Sequence, residues 1–484
     1  MENGFSKEDQ QCYSVRVIRK ERVAAVLPLQ EHWLPLSNID LLLPPLHFDV
    51  FSCYKKPATS STKACGFSAM VSGLKAALAQ TLVSYYALAG EVVTNSQGEP
   101  ELLCDNRGVE FIEAHADIEL KNLCLYNPDE SVEGKLVPTK MEGLLCVQAT
   151  ELKCGGIVVA CMFDHRIADA YSANMFLVGW AEAAGEKPIS VVPSFRRSLL
   201  SPRRPGCHDE SLDLYMPLSL LPMPSPSDSI NHSISRIYCI SADDVEEMQA
   251  AASTGSGRRS KLEAFSAFLW RVIGKAAAKH AAAAEGCRMG IVVDGRARLG
   301  GSMSSYFGNV LSIPYGSLSL DELGSMELCG VADEVHEFLG GALTEEHFRG
   351  IIDWVESIRP EKAVSKIYLD ERTPSLVVSS GQRFPVGKLD FGWGTPAFSS
   401  YHFPWGSSTG YVMPMPMASG GEDWVVYVHL PSKFIEELEA EAGHVFRRLT
   451  SEHLGLTSTS VDTTPESMTV TPPAVVDASA LVLV

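Results

Sequence analysis

The sequence predicts a two-domain protein of mixed α/β class, and three observations carry that prediction. The chain has 484 residues, too many for one ordinary core, so two domains of roughly 200 residues each are expected. Each half mixes strands rich in β-branched residues with long helices that carry an apolar face. Between the halves, Pro193 to about Ser233 is rich in Pro, Ser and Arg and has little periodicity, the composition of a crossover segment. The expected division is a first domain over residues 1–192, a linker over 193–233, a second domain over 234–456 and a Thr/Ser/Pro-rich tail over 457–484. The tail is expected to be disordered.

In the first half, Ser14–Val26 alternates β-formers with charges and reads as a strand. A polar break, Leu36-Ser37-Asn38-Ile39-Asp40, precedes a second strand at Phe48–Tyr54. Phe67–Val83 has helical spacing and runs into Tyr85-Tyr86-Ala87-Leu88-Ala89-Gly90. Glu101–Cys104 and Val109–Glu113 read as short strands about a turn. Leu145–Thr150 and Gly156–Phe163 read as a strand pair, and Ala168–Glu182 as a helix. The middle of the linker, Leu212–Met223, is apolar enough to lie packed on the surface.

The second half opens with a strand at Ile234–Ile240 and a helix at Ser241–Ala252, whose first turn is acidic. Gly255–Lys261 is a Gly/Ser/Arg loop ahead of a long helix, Leu262–Ala284. Cys287–Val293 reads as a strand leading into Asp294-Gly295-Arg296-Ala297-Arg298-Leu299. Trp424–Leu430 reads as a strand and Lys433–Leu449 as a helix.

Composition excludes several functions. The formal net charge of −19 argues against nucleic acid and anionic membranes as partners. No apolar run reaches 18 residues, so no membrane span is expected. The N-terminus, Met1–Gln11, is polar and shows no secretory signal. The 12 cysteines are scattered without a C-x-x-C pair. That pattern suits reduced thiols in the cytoplasm better than a disulfide framework or a zinc site.

The most informative stretch is Cys161-Met162-Phe163-Asp164-His165-Arg166-Ile167-Ala168-Asp169-Ala170. His165 sits where a buried strand gives way to a loop or helix. An imidazole there is costly unless it is hydrogen-bonded or chemically used, and its ordinary pKa suits proton transfer near neutrality. The alternative is a core histidine satisfied by a backbone carbonyl. Asp169, four residues on, shares a face with His165 only if the segment is helical.

H-R-I-A-D at 165–169 followed by D-F-G-W-G at 390–394 resembles the plant BAHD acyltransferases, which move acyl groups from coenzyme A thioesters to alcohols or amines. The resemblance extends through Leu36–Asp40, Tyr85–Gly90, Phe176–Ala181, Ala264–Arg271, Asp294–Leu299 and Tyr306–Asn309, in the family's order. It implies two chloramphenicol-acetyltransferase-like domains, each a mixed β-sheet flanked by helices, with an active-site channel at their interface. One departure is Ala170, where many members carry Gly. Ala tolerates helix or strand backbone but not positive φ, so a small local adjustment is expected.

The resemblance implies His165 as general base. A thioester is already electrophilic, so one imidazole within reach of the acceptor suffices, with direct transfer and neither a Ser or Cys nucleophile nor a metal. Asp169 would orient the imidazole or support the fold by pairing with an arginine; the family implies the second, with Arg296 favoured over Arg298. Trp393 would donate to an oxyanion or belong, with Asp390 and Gly392, to a structural loop; the family again implies structure. The basic loop of Ser256, Arg258, Arg259, Ser260 and Lys261 is expected to hold coenzyme A phosphates by charge and helix-terminal amides. Asp294, Gly295 and Tyr306 are secondary candidates for the pantetheine arm. The acceptor pocket is expected to include Ser37, Asn38, Arg383 and the segment from Ser399 to Trp405, which carries His402 and Trp405. Ser379–Val386 and Tyr401–Gly406 resemble coniferyl alcohol acyltransferase-like members, which implies an aromatic, uncharged alcohol acceptor.

The leading expectation is therefore an O-acyltransferase of phenylpropanoid or related metabolism. It would be a cytoplasmic monomer with acyl-CoA as co-substrate and no permanently bound cofactor. An N-acyltransferase and a non-catalytic binding partner are the alternatives. A hydrolase is disfavoured because no G-x-S-x-G elbow is present.

Overall fold

A computed structural model describes residues 13–57, 66–207, 213–220, 232–253, 257–281, 284–369, 373–405 and 409–456. The expected tail, 457–484, and Ser256 lie outside the described residues. Two mixed sheets organise the rest.

The first sheet has six strands, in the order Val15–Val23, Val109–Ala116, Leu145–Leu152, Ile157–Asp164, His47–Tyr54, Phe398–His402. Ile157–Asp164 is buried at every position because it runs inside the sheet, which is why its sequence is a continuous apolar run. The helices Phe67–Ser84 and Ala170–Ala184 pack together over the same core, and the Trp180 indole donates to the Leu74 carbonyl at 3.0 Å. The last strand comes from the second half of the chain. Phe398–His402 pairs antiparallel with His47–Tyr54, and Ser52 Oγ and Ser399 Oγ share a hydrogen bond of 2.9 Å. One strand of residues 234–456 thus belongs to the first sheet.

The second sheet has eight strands, with Gly286–Asp294, Ser375–Ser379, Gly410–Pro416, Trp424–Pro431 and Ser233–Ile240 in succession at its centre. The helix Lys261–His280 packs in its core through Phe265, Leu269, Trp270 and Ile273. Ser260 caps that helix in a reciprocal box with Glu263.

Three elements differ from expectation. The final helix spans Ser432–Ala442 and ends at Gly443. Arg447–Arg448 then pairs with Tyr238–Cys239, because that edge of the sheet offers open backbone groups. Ala170–Ala184 starts two residues late, because Asp169 accepts from the Ser172 N–H and caps it. In the linker, Tyr215 is buried and Tyr215–Pro217 pairs with Ala363–Ser365, but Leu218 and Leu220 are exposed. The rest of the expected apolar middle, at 212 and 221–223, lies outside the described residues.

Trp270 is fully buried and donates to the Cys287 carbonyl at 3.2 Å. Trp270→Ala should cost about 3–5 kcal/mol through the cavity it leaves, read as a lower denaturation midpoint of the second half.

Candidate active site

After Asp164 the chain leaves the sheet in a turn, not a helix. His165 and Asp169 therefore do not share a face. His165 lines a cavity of about 730 Å³ enclosed between the two halves. The same cavity is lined by Leu43, Ala170 and Asn174 from the first half and Ile291, Phe384, Phe403 and Tyr411 from the second. The ring lies edge-on to Phe48 at 5.0 Å and to Phe403 at 6.1 Å. Nδ1 is buried without a hydrogen-bond partner among the described residues. Burial among these apolar groups lowers the imidazole pKa below its ordinary 6.5; the residue's own backbone and the charges of Asp169 and Asp164 oppose that shift without reversing it.

The backbone of the turn is held from both halves. The His165 N–H donates to the Leu46 carbonyl at 2.9 Å. Asn309 Nδ2 donates to the His165 carbonyl at 2.9 Å and also to Asp40 Oδ1 at 2.9 Å. Asp40 is fully buried and accepts in addition from the Asn309 N–H at 2.7 Å and from Ser37 Oγ at 2.7 Å.

Asp169 is fully buried and faces Arg296, not the imidazole. Arg296 Nη1 donates to Oδ2 at 2.8 Å and Nη2 to Oδ1 at 3.1 Å, a bidentate pair across the two halves. The guanidinium also donates to the Gly308 carbonyl at 2.8 Å. Ala170 opens the following helix and is not among the described residues with positive φ, so a Cβ is accommodated there.

The D-F-G-W-G segment stands apart from the cavity. Asp390 Oδ1 accepts from the N–H groups of Gly392 at 2.8 Å and Gly394 at 2.9 Å. Both glycines have positive φ, 99° and 107°, which a side chain would strain. Trp393 packs edge-on to Tyr54 at 6.0 Å and does not line the cavity.

Several expected pocket residues are engaged elsewhere. Ser37 and Asn38 do not line the cavity. Ser37 closes a turn with Asp40, and Asn38 Nδ2 donates to the Ile352 carbonyl at 2.8 Å. His402 is also off the cavity wall, because strand alternation turns it away while the next residue, Phe403, faces in. Tyr306 is buried against Arg197, whose Nη1 donates to its hydroxyl at 2.8 Å, and is not a cavity residue. Arg259 is buried against Asp333, with Nε donating at 3.1 Å. Ser260 spends its hydroxyl on the helix cap. Gly295 packs under Phe348, whose ring would lie 2.5 Å from an added Cβ.

Arg383, Trp405 and Asp294 do line the cavity. Arg258 is exposed, and Lys261 Nζ meets Glu422 at 3.0 Å; the next residue, Leu262, reaches the cavity wall. Sequence reasoning missed Tyr368, Lys388 and Asn174 in the wall. Asn174 carried a weak signal, an amide on an otherwise apolar helix; Tyr368 and Lys388 carried none. Tyr368 meets Trp405 edge-on at 4.7 Å, Phe403 stacks with Trp405 at 6.1 Å and Tyr411 meets Phe403 at 5.3 Å. The Trp405 indole N–H is buried without a partner among the described residues.

A family model described as Transferase family matches residues 13–445. The chain belongs to this family, the BAHD acyltransferases. Three relatives illustrate its range. A shikimate O-hydroxycinnamoyltransferase of Nicotiana tabacum is 26% identical over 82% of this chain and 92% of its own length. A hydroxycinnamoyl-CoA:5-hydroxyanthranilate N-hydroxycinnamoyltransferase of Avena sativa is 28% identical over 83% and 93%. An anthranilate N-benzoyltransferase of Dianthus caryophyllus is 28% identical over 78% and 87%. Among solved structures, vinorine synthase aligns with a TM-score of 0.68 at 19% identity over 90% of this chain and all of its own. TRI101 of F. graminearum, complexed with coenzyme A and deoxynivalenol, aligns at 0.69 with 15% identity over 85% and 98%. These likenesses establish the two-domain chloramphenicol-acetyltransferase-like fold. The BAHD chain is thus an acyltransferase that draws on acyl-CoA. Among the described residues no helix is long and apolar enough to cross a membrane.

Replacing Asp169 with Ala should strand the Arg296 charge in a dry site and cost about 3–5 kcal/mol. Thermal melting of the variant should show a lowered midpoint, and Arg296→Met combined with it should recover part of the loss.

Proposed function

We propose that this enzyme transfers a hydroxycinnamoyl or similar aromatic or short acyl group from CoA to an alcohol, with His165 as general base. The observation that carries this reading is a histidine held neutral by burial in an apolar cavity between the two halves. The imidazole takes the hydroxyl proton of the acceptor as its oxygen attacks the thioester carbonyl. The tetrahedral oxyanion collapses, the C–S bond breaks, and the imidazolium returns its proton to the CoA thiolate. Ester and free CoA leave, and no covalent acyl-enzyme is formed.

Asp169, Arg296, Asp390, Gly392 and Trp393 act as scaffold in this reading: their polar groups and rings are spent on the fold. In this reading Arg258 and Lys261, from the segment that leads to Leu262 in the cavity wall, would meet the phosphates of CoA. The aromatic wall of Phe403, Trp405, Tyr368 and Tyr411 suits a planar phenylpropanoid acceptor, and the Trp405 N–H offers it one hydrogen bond. An amine acceptor is the second reading. It is favoured by the Avena and Dianthus relatives, whose names specify N-acylation, and the same base serves both nucleophiles.

The test is release of free thiol from acetyl-, benzoyl-, coumaroyl-, caffeoyl- and feruloyl-CoA against coniferyl alcohol, shikimate, anthranilate and tyramine. Turnover should depend on the acceptor and fall roughly 10²–10⁴-fold in His165→Ala. Acceptor-independent thiol release would overturn the reading. The neutral imidazole is the active form, so kcat/KM should decline on the acid side with an apparent pKa below 6.5. The same lowered pKa means the unfolded chain binds the proton more readily, so stability from this group falls as pH drops below 6.5.

Trp405→Ala should raise KM for an aromatic alcohol about tenfold or more through lost burial and a lost donor. Arg383→Ala should leave that KM within about twofold, because an uncharged acceptor gains only weakly from an exposed cation. A large Arg383 effect would instead identify a carboxylated acceptor.

A further inference from the structure

Behind the aromatic wall lies a polar cluster that the transfer reaction does not use. His402 is 1% exposed, yet neither ring nitrogen makes a hydrogen bond among the described residues. Its Nε2 faces Glu133 Oε2 at 3.7 Å, beyond hydrogen-bond length but open to a bridging cation. Asp129 completes the group: one donor atom from each of Asp129, Glu133 and His402 lies within 4.8 Å of the others. Asp129 spends Oδ2 on the Ser235 N–H at 2.6 Å and lies 4.0 Å from Arg236, but its Oδ1 is buried and unpartnered. Two more orphans adjoin the cluster, Asp49 Oδ1 and His429 Nε2. Asp49 stands opposite His402 across the strand pair, and His429 Nδ1 is taken by Ser235 Oγ at 3.0 Å.

Native structures leave few buried polar atoms unsatisfied. Here Asp49 Oδ1, Asp129 Oδ1, both His402 nitrogens and His429 Nε2 are buried without a hydrogen-bond partner among the described residues, beside the half-exposed carboxylate of Glu133. Imidazole with carboxylates is the donor set of zinc-class ions and not of calcium. Ligand atoms on one tetrahedral zinc ion sit about 3.4 Å apart; His402 Nε2 and Glu133 Oε2 are near that at 3.7 Å, and drawing the three atoms in from their 4.8 Å envelope takes a small side-chain adjustment.

We propose that Asp129, Glu133 and His402 bind a divalent transition-metal ion of the zinc class. The ion would staple the segment after Pro128 to the end of the crossing strand. The next residues, Phe403 and Trp405, wall the cavity, and the Phe403 N–H is already anchored to the Tyr427 hydroxyl at 3.0 Å. The site is structural and separate from the transfer chemistry. It departs from the expectation of no metal, which rested on cysteine spacing and on the chemistry of the transfer.

The test uses Co²⁺ as a visible probe, on full-length protein carrying Cys124→Ser and Cys207→Ser to remove the exposed described thiols. One equivalent of Co²⁺ should give a ligand-field band without thiolate charge transfer, and Zn²⁺ should displace it. Glu133→Gln, at the surface and safe for folding, should weaken Co²⁺ binding roughly tenfold or more, and His402→Gln should do the same. Zn²⁺ should raise the melting temperature of the parent protein and not of Glu133→Gln, while metal-free activity of Glu133→Gln stays unchanged. No band at one equivalent, or a band and melting shift untouched by Glu133→Gln, would overturn the proposal.

Discussion

The ion pair between Asp169 and Arg296 is the constraint on which the rest of the structure depends. The two residues come from opposite halves of the chain, both are buried, and they meet through two parallel hydrogen bonds of 2.8 and 3.1 Å. Such a pair is not a large net source of stability, because desolvation takes back most of the Coulomb gain. Its consequence is geometric. Each charge can be buried only if the other is present, so the two halves have one way to close. The same carboxylate caps the helix Ala170–Ala184 and accepts from the Val310 N–H. The helix, the histidine turn and the Tyr306–Asn309 segment are thereby set against each other.

A second network completes the arrangement. Asp40 gathers Ser37 and Asn309, and Asn309 in turn holds the His165 carbonyl. The imidazole itself is held less firmly: its Nδ1 is buried without a hydrogen-bond partner among the described residues, and aromatic rings flank it. The contrast has a physical logic. An imidazole stays neutral near pH 7 more readily in a weakly polar pocket, and a carboxylate at hydrogen-bond distance would raise its pKa. The polar residues of the motif therefore build the frame, and among them the histidine alone faces the cavity.

The crossing strand Phe398–His402 links this frame to the second half. It leaves the second half, seals the edge of the first sheet, and returns through Phe403 and Trp405, which line the cavity. Strand alternation divides its end between two environments. Phe403 faces the cavity, and His402 faces the carboxylates of Asp129 and Glu133. Cavity wall and polar cluster are thus two sides of one short segment.

The sequence by itself determined the class of fold, the strands with continuous apolar runs, the capped helices and the histidine at the end of its strand. Each of these follows from local periodicity, from the chemistry of caps or from a motif carried within a few residues, and none needs a partner distant in the chain. Only the tertiary structure decided which polar residues face the cavity. Asn38, Tyr306, Arg259 and His402 are as polar as Arg383 and Trp405, but their partners lie far away in sequence and consume their donors or turn them aside, and Ser37 is spent on Asp40. It also decided that a strand of the second half completes the first sheet, and that Asp129, Glu133 and His402 meet. Pairing across more than two hundred residues leaves no local trace, because it is set by which buried surfaces and charges remain unsatisfied once each half has folded.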